Sequence, residues 1–248
     1  MLRTLAGWGW TFAVFLMAPL LSLLSLGLFG PRLTTWLAHT WGPTCCRLLG
    51  VAVEVRGVEH LRHPGSRIVV ANHTSALDMP LVALIAPKAP LVLAKAELRW
   101  VFPFNLMWVA LGQRFVERKN KDRARASVDA LVAALRRDER SIVLAPEGTR
   151  SRDGKLGRFK LGAFHMAAQT HVPIVPVLIR GAGPLMPPGR WWIEAGRCVV
   201  EIKPPIDTSA WVPEQVHTYA EALEADYRRW LAEEGPVAPA PRPSAGAE

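Results

Sequence analysis

The pattern of apolar and charged positions divides the chain into two unlike parts. Of its 248 residues, none before Glu54 is acidic, and no Asp, Glu, Lys or Arg lies between Arg3 and Arg32. From Val51 onward, apolar and charged residues alternate at short intervals. The first 50 residues are therefore predicted to form a membrane-associated helical segment, ahead of a domain in which apolar positions form an internal core.

The placement of this N-terminal segment in a membrane has competing interpretations. The run from Leu5 to Phe29 exceeds the roughly 20 apolar residues that a spanning helix needs, but Pro19 interrupts it. A second apolar stretch, Leu33 to Leu49, carries tryptophans, which favour the membrane interface. Two short helices that lie in or dip into one leaflet are favoured over a true span. A cleaved signal peptide is disfavoured because no clear cleavage site follows.

Short β-rich runs alternate with helical ones in the second part. The predicted strands are VAVEVRG, RIVVAN, LVLAK, RFVER, SIVLAPEG, VPIVPVLI and CVVEIKPPI. Between them, apolar residues recur at helical spacing, as from Val128 to Leu135 and again from Val216 to Leu231. This alternation predicts an α/β domain over residues 51–234, with a mixed, largely parallel sheet flanked by helices. The Pro- and Ala-rich residues 235–248 are predicted to be a disordered tail.

Charge and cysteine content narrow the function. The net charge is +9, and the window from Gly112 to Lys160 holds 14 Lys and Arg against 7 Asp and Glu. Such a window suits an anionic partner, although a solvated helix face explains many of its members individually. The three cysteines, Cys45, Cys46 and Cys198, show neither a disulfide framework nor paired zinc-ligand spacing. Reduced thiols and a cytosolic environment are therefore expected.

Several catalytic motifs are missing from the sequence. It contains no G-x-S-x-G elbow, no Walker loop and no H-E-x-x-H, and the sequences GWGW and GAGP lack the third glycine of a dinucleotide fingerprint. Enzymes with a nucleophilic serine at such an elbow, nucleotide-binding proteins and zincin metalloproteases are therefore disfavoured.

The stretch NHTSALD, residues 72–78, follows the buried strand RIVVA and offers a different chemistry. His73 and Asp78 are five positions apart, about 500° of rotation in a regular helix, so they cannot share one helical face. They meet only if His73 lies in the turn before the helix. There the carboxylate can orient one ring nitrogen while the other takes a proton from a hydroxyl. A helix start beside an unrelated histidine is the alternative.

Other predicted strands also end in polar or charged residues. Glu147, Gly148 and Arg150 follow SIVL, Arg118 ends RFVER and Lys95 ends LVLAK. Ligands of open α/β sheets bind at the carboxyl ends of strands, so cations gathered there favour a phosphate site. An ion pair between Glu147 and Arg150, and ordinary surface positions for the lysines and arginines, remain alternatives.

Four ordered blocks over residues 50–205 resemble the glycerolipid acyltransferases, and specifically the 1-acylglycerol-3-phosphate acyltransferases. NHTSALD matches the H-x₄-D motif, and GQRFVER, PEGTRS and VPIVPV are similar to the second, third and fourth blocks. Ala145 stands where the third block usually has an aromatic or other large apolar residue, and Arg114 stands where an apolar residue is common in the second block. Both departures bear on the exact substrate.

The resemblance implies a role for each matching residue. His73 would be the general base on the lysolipid hydroxyl and Asp78 its orienting partner. Lys95, Arg118 and Arg150 would hold the substrate phosphate, Glu147 and Gly148 would shape that pocket, and Pro173 would belong to the acyl-donor side. No metal and no cofactor are expected, with acyl-CoA or acyl-carrier protein as co-substrate.

The expected function is acyl transfer from a thioester to lysophosphatidate, giving phosphatidate at the cytoplasmic face of the inner membrane. Membrane lipids are expected partners, and nucleic acid is not. Three alternatives remain: an acyltransferase for another lysolipid such as lyso-ornithine lipid, a non-catalytic lipid-binding protein, and a metal phosphohydrolase with His73, Asp78 and Glu147 as ligands.

Overall fold

A computed structural model describes residues 1–24, 30–62, 65–88, 90–116, 121–137, 140–151 and 154–237. The helices are α1 (Leu2–Leu24), α2 (Gly30–Leu49), α3 (Asp78–Leu84), α4 (Phe104–Ala110), α5 (Lys121–Arg137), α6 (Gly162–Thr170), α7 (Ala182–Leu185) and α8 (Val216–Glu234). The strands are β1 (Val51–Arg56), β2 (Ile68–Ala71), β3 (Leu91–Lys95), β4 (Arg114–Val116), β5 (Ile142–Leu144), β6 (Ile174–Arg180) and β7 (Gly196–Ile202). Short 3₁₀ turns occupy Val58–Leu61, Ala96–Trp100 and Pro213–Gln215.

The seven strands form one mixed sheet in the order β1-β7-β6-β2-β5-β3-β4. Strands β6, β2, β5, β3 and β4 run parallel to one another. Strand β7 is antiparallel to β6, and β1 is parallel to β7. The predicted α/β fold with a largely parallel sheet is confirmed. The carboxyl ends of β2, β5, β3, β4 and β6 consequently meet at one edge of the sheet.

Both faces of the sheet are covered because the central strands alternate their side chains between two apolar cores. On β2, Val69 and Ala71 pack with residues of α2 and α3, whereas Ile68 and Val70 pack with residues of α5, α6 and α8. The phenol of Tyr227 on α8 reaches the middle of the sheet, where it donates to the Val70 carbonyl over 2.5 Å. The central strand β2 is thereby held rigidly on both faces, and the residues that follow it start from a fixed point.

The two N-terminal helices pack against this domain. The buried positions of α1 recur every three or four residues and are mostly small or hydroxylated: Thr4, Gly7, Thr11, Val14, Ala18 and Ser22. At Gly7 an added Cβ would lie 2.6 Å from a methyl group of Leu49, so a larger residue would require the Leu49 side chain to shift where α1 approaches α2. Among the described residues, α1 is the one helix long and apolar enough to cross a membrane. The domain boundary predicted at residue 50 stays a prediction, as does the disordered tail, whose residues 238–248 lie outside the described part.

Candidate active site

His73 lies in the turn between β2 and α3, and Asp78 is the first residue of α3. This is the arrangement that the five-residue spacing requires. His73 Nδ1 lies 2.8 Å from Asp78 Oδ2. Because an ionised carboxylate can only accept, Nδ1 carries the proton of this bond and Nε2 keeps a lone pair. The imidazole side chain is 25% exposed and that of Asp78 only 4%, so the histidine faces outward from a buried support.

Asp78 holds the turn together through one oxygen. In addition to the imidazole, Oδ2 accepts from the backbone N–H groups of Thr74, over 2.7 Å, and Ser75, over 2.8 Å. These bonds compensate a carboxylate that is otherwise removed from water. They also bring the backbone of residues 74 and 75 to the same oxygen as the imidazole, which fixes the ring relative to the helix start.

Glu147 supports the same turn from the neighbouring strand end. Its Oε1 accepts from the backbone N–H of His73 over 3.1 Å, and the Ser151 N–H donates to the His73 carbonyl over 2.9 Å. Burial raises the pKa of Glu147 to about 7. In the described part of the chain no ion pair joins Glu147 to Arg150, so that alternative interpretation is wrong. Glu147 instead connects the β5 end to the backbone of the histidine.

The sequence alone did not single out two further residues that position this turn. The side chain of Asn72 bonds both backbone groups of Ile179, donating to its carbonyl over 2.9 Å and accepting from its N–H over 2.7 Å. The hydroxyl of Ser75 donates to the Met186 carbonyl over 3.0 Å. The polar Asn72 at the end of a buried strand was the one signal in the sequence. The hydrogen-bond partners of Asn72 and Ser75 lie more than a hundred residues away along the chain, at separations of 107 and 111.

The predicted cations lie along the same edge of the sheet. Since β2, β5 and β3 are adjacent and parallel, Arg150 after β5 and Lys95 at the end of β3 follow His73 in spatial order. Both side chains are exposed, and Lys95 Nζ lies 3.3 Å from Glu97 Oε1. Arg118 lies outside the described residues. The topology thus places two of the three predicted phosphate ligands at the edge that carries the histidine.

Gly148 adopts a φ of +75° in the turn after β5. Residues with a side chain rarely adopt this backbone conformation, so glycine suits the position. A Cβ there would lie 3.5 Å from Cγ of Lys160. Lys160 itself is exposed, and its N–H donates to the Pro146 carbonyl over 2.7 Å. Lys160, which the sequence analysis did not select, therefore packs beside the turn of residues 146–148, next to the predicted phosphate ligand Arg150.

Pro173 is not brought to this site. It directly precedes β6, and its carbonyl accepts from the N–H of Ile68 at the start of β2. The start of β2 is the edge of the sheet opposite to His73. The acyl-donor role of Pro173 stays a prediction.

A cavity of about 320 Å³ lies between the N-terminal helices and the His73 turn. This volume is within the roughly 300–1,000 Å³ typical of small-molecule sites. Its walls are almost entirely apolar and comprise Gly7, Trp8, Thr11, Phe15, Trp41, Cys45, Leu49, Ala76, Leu77, Met79, Pro80, Leu98, Phe104 and Ile193. Residues on both sides of Asp78 line it, so the cavity lies against the start of the helix that carries Asp78.

Comparisons with known proteins identify the family of this chain. A model of the family described as Acyltransferase matches residues 52–180. The 1-acyl-sn-glycerol-3-phosphate acyltransferase of Salmonella typhimurium is 32% identical over 209 residues, which cover 83% of this chain and 84% of that protein. The protein of the same name from Limnanthes douglasii is 28% identical over 230 residues, 93% of this chain and 78% of its own length.

A solved structure extends the likeness to the fold. The crystal structure of the 1-acyl-sn-glycerophosphate (LPA) acyltransferase PlsC from Thermotoga maritima superposes with a TM-score of 0.74 at 27% identity. The match covers 92% of this chain and 95% of that one. The two proteins therefore share the mixed α/β fold, and the class of enzyme is an acyltransferase. The chain belongs to the acyltransferase family, which confirms the resemblance seen in the four sequence blocks.

Proposed function

We propose that this protein transfers an acyl group from an acyl thioester to the free hydroxyl of 1-acylglycerol-3-phosphate and so forms phosphatidate. The observation that carries the proposal is the 2.8 Å contact between His73 Nδ1 and Asp78 Oδ2, next to an apolar cavity. Such a pair suits proton removal from a hydroxyl, and the cavity suits a hydrocarbon chain. The names of the relatives supply the substrate.

The reaction needs one proton relay. Nε2 of His73 removes the hydroxyl proton as the oxygen attacks the thioester carbonyl, while Asp78 stabilises the imidazolium. The new C–O bond forms, the C–S bond breaks, and the thiolate recovers the proton from Nε2. A base of this kind contributes a rate factor of roughly 10²–10⁴, and the alignment of hydroxyl and thioester contributes the rest.

Charged residues are proposed to bind the phosphate group of the lysolipid substrate. Lys95, Arg118 and Arg150 are proposed to bind it, with Glu147 and Gly148 shaping the turn beside it. The acyl donor is proposed to be acyl-CoA or acyl-carrier protein, with no further cofactor. Pro173 would act on the donor side only through the strand that it precedes.

The membrane is proposed to hold the lipid substrate and the enzyme together at the cytoplasmic leaflet. Helix α1 leaves large apolar side chains exposed along its whole length, from Leu2 to Leu24. Its other face is bonded to the domain near both ends, through Thr4 to Ile193 and through Ser22 to Ala110. A helix attached in this way can lie in one leaflet without crossing the bilayer.

The three alternative functions differ in how well they fit the site. Another lysolipid would leave the chemistry of His73 unchanged. A binding protein has no use for an imidazole held in one tautomer by a buried carboxylate. Within the described residues, no group of three or more His, Cys, Asp or Glu side chains is placed to hold a metal ion, so a phosphohydrolase lacks a ligand set there.

The proposal predicts that purified protein converts labelled acyl thioester and lysophosphatidate to phosphatidate, and that His73→Ala lowers kcat at least 10²-fold. Product formation is measured by chromatography of the extracted lipids. His217→Ala, which removes an exposed histidine from α8, should leave the rate unchanged.

Thermal unfolding of both variants establishes that the fold is intact. Full activity of folded His73→Ala would refute the mechanism. Activity toward another lysolipid with none toward lysophosphatidate would retain the mechanism and refute the substrate.

A further inference from the structure

A second apolar surface lies beside α1, and nothing in the proposed reaction uses it. The segment from Trp100 to Val109 covers the end of a 3₁₀ turn and most of α4. Trp100 is 83% exposed and Val109 67%. Between them Val101, Phe102 and Leu106 are exposed as well. We call these five side chains the α4 patch. A cluster of this kind is unusual on the water-facing surface of a protein and marks an interaction site.

The patch is continuous with the exposed face of α1. Helix α4 packs on α1 through Phe104, whose ring centroid lies 5.8 Å from that of Phe15. The Ser22 hydroxyl donates to the Ala110 carbonyl over 2.9 Å. While Met107 and Trp108 of α4 are buried in a core shared with Val14 and Ala18 of α1, the neighbouring Leu106 and Val109 remain outside. The two packed helices therefore present adjoining apolar surfaces.

The composition of the segment matches a lipid interface. An aromatic side chain next to cations is typical of the boundary between headgroups and acyl chains. Trp100 directly follows Arg99, which is exposed. From Lys95 to Arg114 the sequence has three Lys and Arg residues and one acidic residue, Glu97. This balance attracts an anionic headgroup surface.

We propose that the α4 patch inserts into the same leaflet as α1 and is a second membrane-binding element of the protein. The partner is a bilayer that contains anionic lipid. The 3₁₀ turn that leads into the segment starts immediately after Lys95, and Leu98 of that turn and Phe104 of α4 form part of the cavity wall. Insertion of the patch therefore turns the cavity and the carboxyl edge of the sheet toward the lipid. This inference rests on the proposed membrane association of α1 but makes a separate statement about residues 100–109.

A fluorescent probe at the patch tests insertion directly. The full-length Val109→Cys protein is labelled with an environment-sensitive dye, because the three native cysteines are buried. On addition of vesicles of phosphatidylglycerol and phosphatidylcholine, we expect a blue shift and quenching by nitroxide-labelled acyl chains. The same label at Val212→Cys, which replaces a residue of comparable type beyond β7, should show neither change.

A matched pair of variants measures the contribution to binding. Leu106→Ser/Val109→Ser should lower the partition coefficient for these vesicles about tenfold or more, because binding follows the apolar area inserted. Val58→Ser/Val212→Ser, which removes two exposed aliphatic residues away from α1, should not lower it. Both variants should keep wild-type activity in detergent micelles, where no bilayer has to be bound.

Two results would overturn the inference. One is an unquenched probe at position 109 on protein that sediments with the vesicles, which would leave the docking of α1 intact. The other is burial of the probe by self-association without lipid, which would assign the patch to a protein contact. Because these measurements need no turnover, they are independent of whether lysophosphatidate is the substrate.

Discussion

At the scale of single residues, Glu147 differs from the other site carboxylate. Each carboxylate has one buried oxygen without a partner among the described residues, Asp78 Oδ1 and Glu147 Oε2. The other oxygen of Asp78 has three hydrogen-bond donors, whereas Oε1 of Glu147 accepts from the backbone N–H of His73. Burial without full compensation favours the neutral acid, which explains why the pKa of Glu147 rises from 4.5 to about 7. This carboxyl should make the stability of the protein depend on pH.

The direction of that dependence follows from the two pKa values. As the pH rises above 4.5 the unfolded chain loses this proton first, so the contribution of Glu147 to stability is complete below pH 4.5 and disappears through pH 7. We expect the stability of wild type relative to Glu147→Gln to fall by about 2 kcal/mol between pH 5 and pH 8. Unfolding of both proteins at the two pH values measures it.

Glu221→Gln is the matched control because Glu221 is an exposed carboxyl on α8. The difference in unfolding free energy between wild type and Glu221→Gln should stay constant between about pH 5 and pH 8. A constant difference for Glu147→Gln as well would show that Glu147 is ionised in the folded protein throughout.

At the scale of elements, the sequence predicted the seven strands and the helices α5 and α8, because their apolar side chains follow the period of each element. It also predicted that His73 can meet Asp78 only from the turn before α3, since a spacing of five excludes a shared helical face. It did not predict the reversal of β1 and β7, because alternation along a strand carries no direction. Nor did it identify Asn72 as the clamp on Ile179, because that contact spans 107 residues.

The order of parallel strands places Lys95 and Arg150 at the end of the sheet that carries His73. If they bind the substrate phosphate, Lys95→Ala and Arg150→Ala should each lower kcat/KM for lysophosphatidate about tenfold or more, as expected for a charged hydrogen bond. Turnover of monoacylglycerol, which lacks the phosphate, should change little. Steady-state kinetics with both substrates measures the difference.

Lys88→Ala serves as the control for those variants. Lys88 is exposed and precedes β3, so it lies at the opposite edge from Lys95. An equal loss with both substrates in the Lys95 or Arg150 variant would contradict phosphate binding and indicate a structural role.

At the scale of the whole molecule, α1 cannot be treated as a free membrane span. The Thr4 hydroxyl bonds both backbone groups of Ile193, the Trp8 indole donates to the Trp191 carbonyl, and Ser22 bonds Ala110 at the other end. A helix that crossed the bilayer would have to break the contacts at one end. We therefore expect both ends of α1 to stay on the side of the membrane that holds the domain.

Labelling of Arg3→Cys tests this topology. The protein is added to preformed vesicles, so the domain is outside, and an impermeant maleimide is then supplied from outside. Arg3 lies near Gly50 at the domain surface, and the native cysteines are buried. Reaction at position 3 should match that in detergent, because α1 lies along one leaflet. Protection that detergent removes would mean that the N-terminus had crossed the bilayer and that the contacts of Thr4 and Trp8 are lost in the bound protein.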